Sequence, residues 1–365
     1  MIAPQRIITT ASSAILLWAL LATTGSAATC SAVACKQFAW RDNQRGRMVT
    51  ATLCYPTCRA DGQPIGTVPL AIYSHGLGSS PGDFNYLAQA WAGQGIATLL
   101  VRHQGNDDAA WKGHLFPLQR MKSIYRQNPD AEDHVGDLRL AIAMLDQANT
   151  AGSLPIALDM NRIGIAGNDL GALATMILAG REIPGTANGT GYTMPCVYGE
   201  TEVTENGGLH TIDDRIRAII VLSPPVPETM ADHSRIYSEI TVPSLFVTGT
   251  CDDGVVGPTR AGDRRIPFDH VGGDSWLITF SGTDHMIYSG HILPGHEAND
   301  RFYQSLIAQA TTAFWISCLK ESPQPTDCPL GTQLSTVIAG RGCVEEKSAE
   351  QGEAAESETK EPTLA

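Results

Sequence analysis

The chain has 365 residues, with 25 Lys and Arg against 38 Asp and Glu and a formal net charge of −13. That much acid repels a phosphate backbone and excludes nucleic acid as a partner. With 43 % hydrophobic and 17 % charged residues, there is enough apolar material for a large buried core and too little charge for a disordered chain.

Residues 1–28 read as an export signal. Arg6 supplies the positive charge, 14–22 the apolar run, and Ser26-Ala27-Ala28 a small-residue cleavage site. The apolar run is too short to span roughly 30 Å of hydrocarbon. A secreted or periplasmic protein with no stable membrane anchor after signal cleavage is expected. All nine cysteines follow the signal, and an oxidising compartment favours disulfides. The close pairs Cys30/Cys35, Cys54/Cys58 and Cys318/Cys328 suggest local staples, and the odd count leaves at least one thiol unpaired within the chain. The Cys54/Cys58 spacing has no second Cys/His pair behind it, which argues against zinc.

Short apolar runs then alternate with helical patterns, as a parallel sheet covered on both faces requires. Strands are expected at 49–55, 68–73, 96–101, 162–166, 218–222, 244–248 and 276–280. Helices are expected at 84–93, 133–148, 170–180 and 300–318, the second with Val135, Leu138, Ala141, Ile142 and Leu145 on one face. This rhythm predicts an α/β chain with a doubly wound, mostly parallel sheet in a single domain. The domain is placed at 49–318, after an N-terminal lead at 29–48 and before a Cys-containing extension at 319–344. From 345 to 365 the seven Glu and two Lys read as a solvated acidic tail. Two segments, 103–130 and 185–208, break the rhythm and are expected to shape a pocket mouth.

The most informative stretch is Arg162-Ile163-Gly164-Ile165-Ala166-Gly167-Asn168-Asp169-Leu170-Gly171-Ala172. A strand runs through Gly-x-x-x-Gly straight into a helix, the sequence shape of a nucleophile elbow. Its middle residue is Asp169, not Ser. An aspartate attacking a carboxylic ester gives a mixed anhydride with no gain in stability. Attack on an sp³ carbon bearing a halide or an epoxide oxygen instead gives an ordinary ester, which a His-activated water can hydrolyse. Upstream, Ser74-His75-Gly76-Leu77-Gly78 ends an earlier strand, so the backbone N–H groups of Leu77 and Leu170 are the expected oxyanion donors. Downstream come Gly249-Thr250-Cys251-Asp252-Asp253 and Gly282-Thr283-Asp284-His285-Met286. The order nucleophile, acid, histidine makes His285 the general base and Asp252, ahead of Asp253, the acid that orients it. His75 reads as packing under the oxyanion turn, and His103, His114, His291 and His296 as pocket-rim candidates. Tyr192 and Tyr198 are candidates to protonate a leaving oxygen.

At these residues the chain resembles the predicted dienelactone hydrolase and platelet-activating-factor acetylhydrolase-like group of α/β-hydrolases. The resemblance runs over about 49–318. It rests on the Ser74-His75-Gly76-Leu77-Gly78 turn, the Arg102-His103 pair, the elbow followed by Gly-Ala, Leu222-Ser223-Pro224-Pro225, and the Asp284-His285-Met286 turn. It implies an α/β-hydrolase fold acting on small or lipid-like carboxylic esters with no metal or organic cofactor. The roughly twenty residues between the strands expected at 218–222 and 244–248 leave no room for a large helical cap. The chain departs from that group at Asp169, where relatives carry Ser, so the ester-cleaving mechanism is not carried over. The haloalkane dehalogenase and epoxide hydrolase families do place Asp at the elbow, but lack the His75-Gly76-Leu77-Gly78 form of the turn. Three readings follow: an Asp169-Asp252-His285 hydrolase working through a covalent ester, an esterase using Asp169 as base on water, and a secreted binding protein that has lost its chemistry.

Overall fold

The computed structural model describes residues 33–58, 65–127, 131–183, 202–203, 209–226, 232–320 and 328–349. The export signal, Tyr192, Tyr198 and the tail beyond 349 lie outside the described residues. The strands are β1 Val33–Asp42, β2 Arg47–Pro56, β3 Val68–Ser74, β4 Ala97–Arg102, β5 Leu158–Asn168, β6 Glu202–Val203, β7 Leu209–His210, β8 Ile216–Leu222, β9 Ser244–Cys251, β10 Ser275–Asp284 and β11 Gly342–Lys347. The helices are α1 Asn85–Gly93, α2 Pro117–Gln127, α3 Glu132–Thr150, α4 Leu170–Leu178, α5 His233–Tyr237, α6 Ile266–His270, α7 His285–Tyr288, α8 Glu297–Leu319 and α9 Leu330–Ile338.

Nine strands form one sheet in the order β1-β2-β4-β3-β5-β8-β9-β10-β11. From β4 to β10 all neighbours are parallel, while β1, β2 and β11 run antiparallel to theirs. Two leading antiparallel strands, the β4-β3-β5 reversal and helices on both faces make this an α/β-hydrolase fold. Alternation along β3 builds the two sides: Leu70 and Ile72 face the core under α3 and α4, and Ala71 and Tyr73 face the one under α1 and α8. Each fully buried Leu, Ile or Val in these layers contributes about 1.5–3 kcal/mol. Among the described residues no helix is long and apolar enough to cross a membrane.

The expected strands and helices all form, but the domain extends past both of its expected ends. The lead contains β1, whose residues from Val33 pair in register with β2. Glu345 to Lys347, assigned to the tail, belong to β11 and pair with β10. These are edge strands with one solvated side, so their polar residues hide them from a search for apolar runs.

The cysteine pairing also differs from the expectation. Cys35 and Cys54 sit directly opposite each other on β1 and β2 and form a disulfide. Cys58 is disulfide-bonded too, and Cys318 is a thiol, so none of the three local staples forms as expected. Strand register, not proximity in sequence, sets which sulfurs meet.

Candidate active site

The C-terminal ends of the central strands carry Asp169, Leu77, Asp252 and His285. β5 passes into α4 through Asp169, whose backbone at φ 49°, ψ −121° is costly for a residue with a Cβ and belongs to sharp strand-to-helix turns. The two elbow glycines allow it by close approach. A Cβ on Gly167 would lie 2.3 Å from the Gly171 carbonyl oxygen, and one on Gly171 only 2.0 Å from that of Ser74.

The turn after β3 lies against this elbow. Gly76 N–H donates to Asn168 Oδ1 at 2.9 Å, and Tyr73 OH donates to the same oxygen at 3.2 Å. A Cβ on Gly76 would come within 2.7 Å of Asp169 Cβ, so only glycine lets the two turns meet. Leu77 N–H then donates to Asp169 Oδ2 at 3.3 Å. Leu170 is the first residue of α4, where the positive end of the helix dipole lies beside the same carboxylate.

His285 begins α7. The Asp284 side chain caps that short helix by accepting from Met286 N–H at 3.0 Å, which gives the Asp-His-Met spacing a local cause. His285 Nδ1 lies 3.1 Å from Asp252 Oδ1 and 2.8 Å from Ser223 Oγ. The Ser223 hydroxyl donates to Asp252 Oδ1 at 2.8 Å, so its oxygen accepts from the ring. That assigns the ring proton to Nδ1 and leaves Nε2 unprotonated. Asp252 is fully buried at the end of β9, and its Oδ2 accepts from Thr248 Oγ1 at 2.8 Å. Asp253 faces outward instead, holding Arg260 at 3.3 Å and Ala261 N–H at 3.0 Å.

Three contributors were not picked out by sequence reasoning. Asn168 ties the elbow to the turn after β3. Ser223, fully buried at φ 50°, bridges acid and histidine. Arg264, fully enclosed, bonds Asp252 Oδ1 at 3.0 Å, donates to the backbone carbonyls of Asp252, Ser223 and Pro224 at 2.7, 2.8 and 2.9 Å, and approaches His285 Nδ1 at 3.3 Å. Ser223 lies in a segment noted only for resemblance, and nothing local signals Arg264.

Asp169, Leu77, Arg264 and His285 open into one pocket of about 290 Å³. Its walls are mainly apolar: Leu118 and Met121 from α2, Val255 and Val256 after β9, Met286, and Trp111, whose indole N–H donates to the Gly78 carbonyl at 2.8 Å. Tyr125 of α2 adds a phenol to the lining. The expected polar excursion at 103–130 thus contains a helix that walls the pocket. His291 also lines it, whereas His103 is fully buried and is no rim residue. Among the described residues no cluster of His, Cys, Asp or Glu has the geometry to hold a metal ion.

No family model matches the chain, and no curated protein matches it in sequence. Solved structures similar to it include the PEG-bound complex of a cold-adapted esterase from an Arctic intertidal metagenomic library. That chain aligns with a TM-score of 0.43 and 14 % identity over 74 % of this chain and 93 % of its own.

Proposed function

We propose that this protein is an exported hydrolase that opens a small, apolar epoxide through a covalent ester on Asp169. The observation that carries the reading is the Leu77 amide on Asp169 Oδ2. It fixes one carboxylate oxygen in the place of an oxyanion and leaves Oδ1 to attack. The Asp169 Oδ1–carbon bond forms as the epoxide carbon–oxygen bond breaks, and the leaving alkoxide takes a proton from solvent admitted to the pocket. His285 Nε2 next removes a proton from water, whose oxygen attacks Asp169 Cγ. The resulting oxyanion is Oδ2 itself, already at the Leu77 amide, with Leu170 N–H at the start of α4 as the second expected donor. The tetrahedral centre then expels the diol alkoxide. The imidazolium proton neutralises that alkoxide, and Asp169, left as the carboxylic acid, releases its proton to solvent, which restores the one taken up when the epoxide opened. The net reaction is epoxide plus water to diol.

Two features support this substrate class. The Trp111 N–H is committed to Gly78 and so is not available to a departing halide, which makes an epoxide the better match than a carbon–halide bond. A carboxylic ester fits poorly, because its oxyanion would have to share the Leu77 amide with a carboxylate. Export is supported by the Cys35–Cys54 disulfide.

The test is a single turnover of a small aryl or alkyl epoxide in ¹⁸O water, followed by mass spectrometry of the peptide containing Asp169. Label in the carboxylate is expected. Turnover without label would overturn the covalent reading, and turnover of haloalkanes alone would overturn the substrate class.

A further inference from the structure

We propose that the buried imidazole of His75 aims the Leu77 amide at the elbow, and that His103 and Asp137 hold His75 in position for that purpose. The inference rests on reading Leu77 as the oxyanion donor. Gly76 C=O and Leu77 N–H belong to one trans peptide unit, so they point in opposite directions from one plane. Whatever grips the carbonyl therefore sets the direction of the N–H.

His75 supplies that grip. Its Nε2 accepts the backbone N–H of His103 at 3.1 Å, which leaves the ring proton on Nδ1. Nδ1 lies 2.8 Å from the Gly76 oxygen and donates to it. Ser79 N–H reaches the same oxygen at a longer 3.3 Å. With the carbonyl held on the His75 side, the Leu77 N–H faces Asp169 Oδ2.

A second layer fixes His75. His103 donates from Nδ1 to Asp137 Oδ2 at 3.1 Å, and its Nε2 accepts from Ser74 Oγ at 2.9 Å. Asp137, on α3, is clamped by Arg45 at 2.7 Å and Arg47 at 3.0 Å. Ser74, His103 and Asp137 thus repeat the bonding order of a catalytic serine relay, yet all three are fully buried. No substrate reaches Ser74, so the relay acts through the backbone: it immobilises the His103 amide that orients His75. These are positioning residues, three steps from the reacting carboxylate.

Substitution can separate aim from packing. His75→Asn keeps an N–H donor near the position of Nδ1, whereas His75→Gln moves the donor to that of Nε2 with similar bulk and polarity. With ¹⁵N-leucine labelling, the Leu77 amide resonance is assigned by its loss in Leu77→Met, and its uncoupled position is defined by Asp169→Ala, which has no side-chain acceptor. His75→Asn keeps the donor to the Gly76 oxygen but loses the acceptor for His103 N–H, and is expected to hold the resonance and turnover closer to the wild type than His75→Gln does. His75→Gln is expected to shift the resonance toward the Asp169→Ala position and to lower kcat about a hundredfold with KM changed less than about threefold, as loss of one oxyanion donor does. Asp137→Asn is expected to shift the resonance in the same direction and carries the test should His75→Gln not fold. A wild-type Leu77 resonance in His75→Gln, or in a folded Asp137→Asn, would overturn the proposal. If the protein opens no epoxide, the proposed reaction fails, while the resonance still decides whether His75 aims Leu77.

Discussion

Arg264 Nη2 lies 3.3 Å from Nδ1 of His285, so a permanent cation shares the ring edge occupied by Asp252 and Ser223. The guanidinium is also the donor to three backbone carbonyls at the ends of β8 and β9. Arg264→Leu would leave those carbonyls and the buried Asp252 carboxylate short of partners. Breaking such a buried pair costs about 3–5 kcal/mol, a fall in Tm on the order of 10 °C for a domain of this size. Thermal unfolding of the purified variant measures it, and a loss below about 1 kcal/mol would contradict the account.

Asp169→Asn and Asp169→Ser separate nucleophile from scaffold. Asn preserves the shape of the elbow and removes the attacking oxygen, so epoxide turnover should fall at least about a thousandfold with Tm little changed. Ser at the same position releases the Leu77 amide for a substrate oxyanion, and turnover of short-chain carboxylic esters should rise above that of the parent. Steady-state assays on both substrate types check the pair of outcomes, and undiminished epoxide turnover by Asp169→Asn would refute the role given to the carboxylate.

Gly171→Ala tests the contact between elbow and oxyanion turn. The added Cβ would sit 2.0 Å from the Ser74 carbonyl oxygen, a backbone atom with no room to withdraw. Destabilisation above about 3 kcal/mol is expected, read as loss of soluble protein or a large drop in Tm. Gly262→Ala, whose Cβ would meet nothing within 4 Å, is the control and should unfold like the parent.

The buried histidines make stability depend on pH in a defined direction. Burial, above all, lowers the pKa values of His75, His103 and His134, the last two strongly. In the unfolded chain they titrate near their ordinary value of about 6.5. Below that pH the unfolded state takes up protons that the folded state refuses, so stability is full above about pH 6.5 and falls as pH drops toward the lowered values. Each histidine contributes a slope of up to about 1.4 kcal/mol per pH unit. Burial also raises the Asp137 carboxyl to about 7, and its proton uptake in the folded state opposes the histidines over part of this range. Urea unfolding between pH 5 and 8 therefore measures the net slope, and His134→Leu should lower the histidine share by about one proton. An unchanged slope would count against the assignment.

Which features were legible in the sequence follows from how local their causes are. The elbow, the Ser74 to Gly78 turn and the Asp284-His285-Met286 cap each depend on residues adjacent in the chain, and their glycines mark backbone positions with no room for a side chain. The central strands are buried on both faces and so stand out as apolar runs. Ser223 and Arg264 reach the histidine across separations of 62 and 21 residues, and no local pattern ties either to His285. The edge strands escaped for the opposite reason, since exposed backbone edges tolerate the Lys, Arg and Glu that make β1 and β11 read as loop or tail. Cysteine pairing depends on the register between β1 and β2, which the spacing of Cys35 from Cys30 does not encode.

The contact between Leu77 and Asp169 also bears on inhibition. Reagents such as fluorophosphonates gain their potency by bonding a serine oxygen and parking a negatively charged oxygen on the neighbouring amides. Here the elbow offers no hydroxyl, Ser74 is sealed beneath the surface, and the amide already faces an anion that is part of the chain. Intact-mass measurement after prolonged exposure should detect no phosphonyl adduct on the parent and one adduct on Asp169→Ser. A survey that uses such reagents to find active hydrolases would therefore pass over this protein even if it turns over the proposed epoxide.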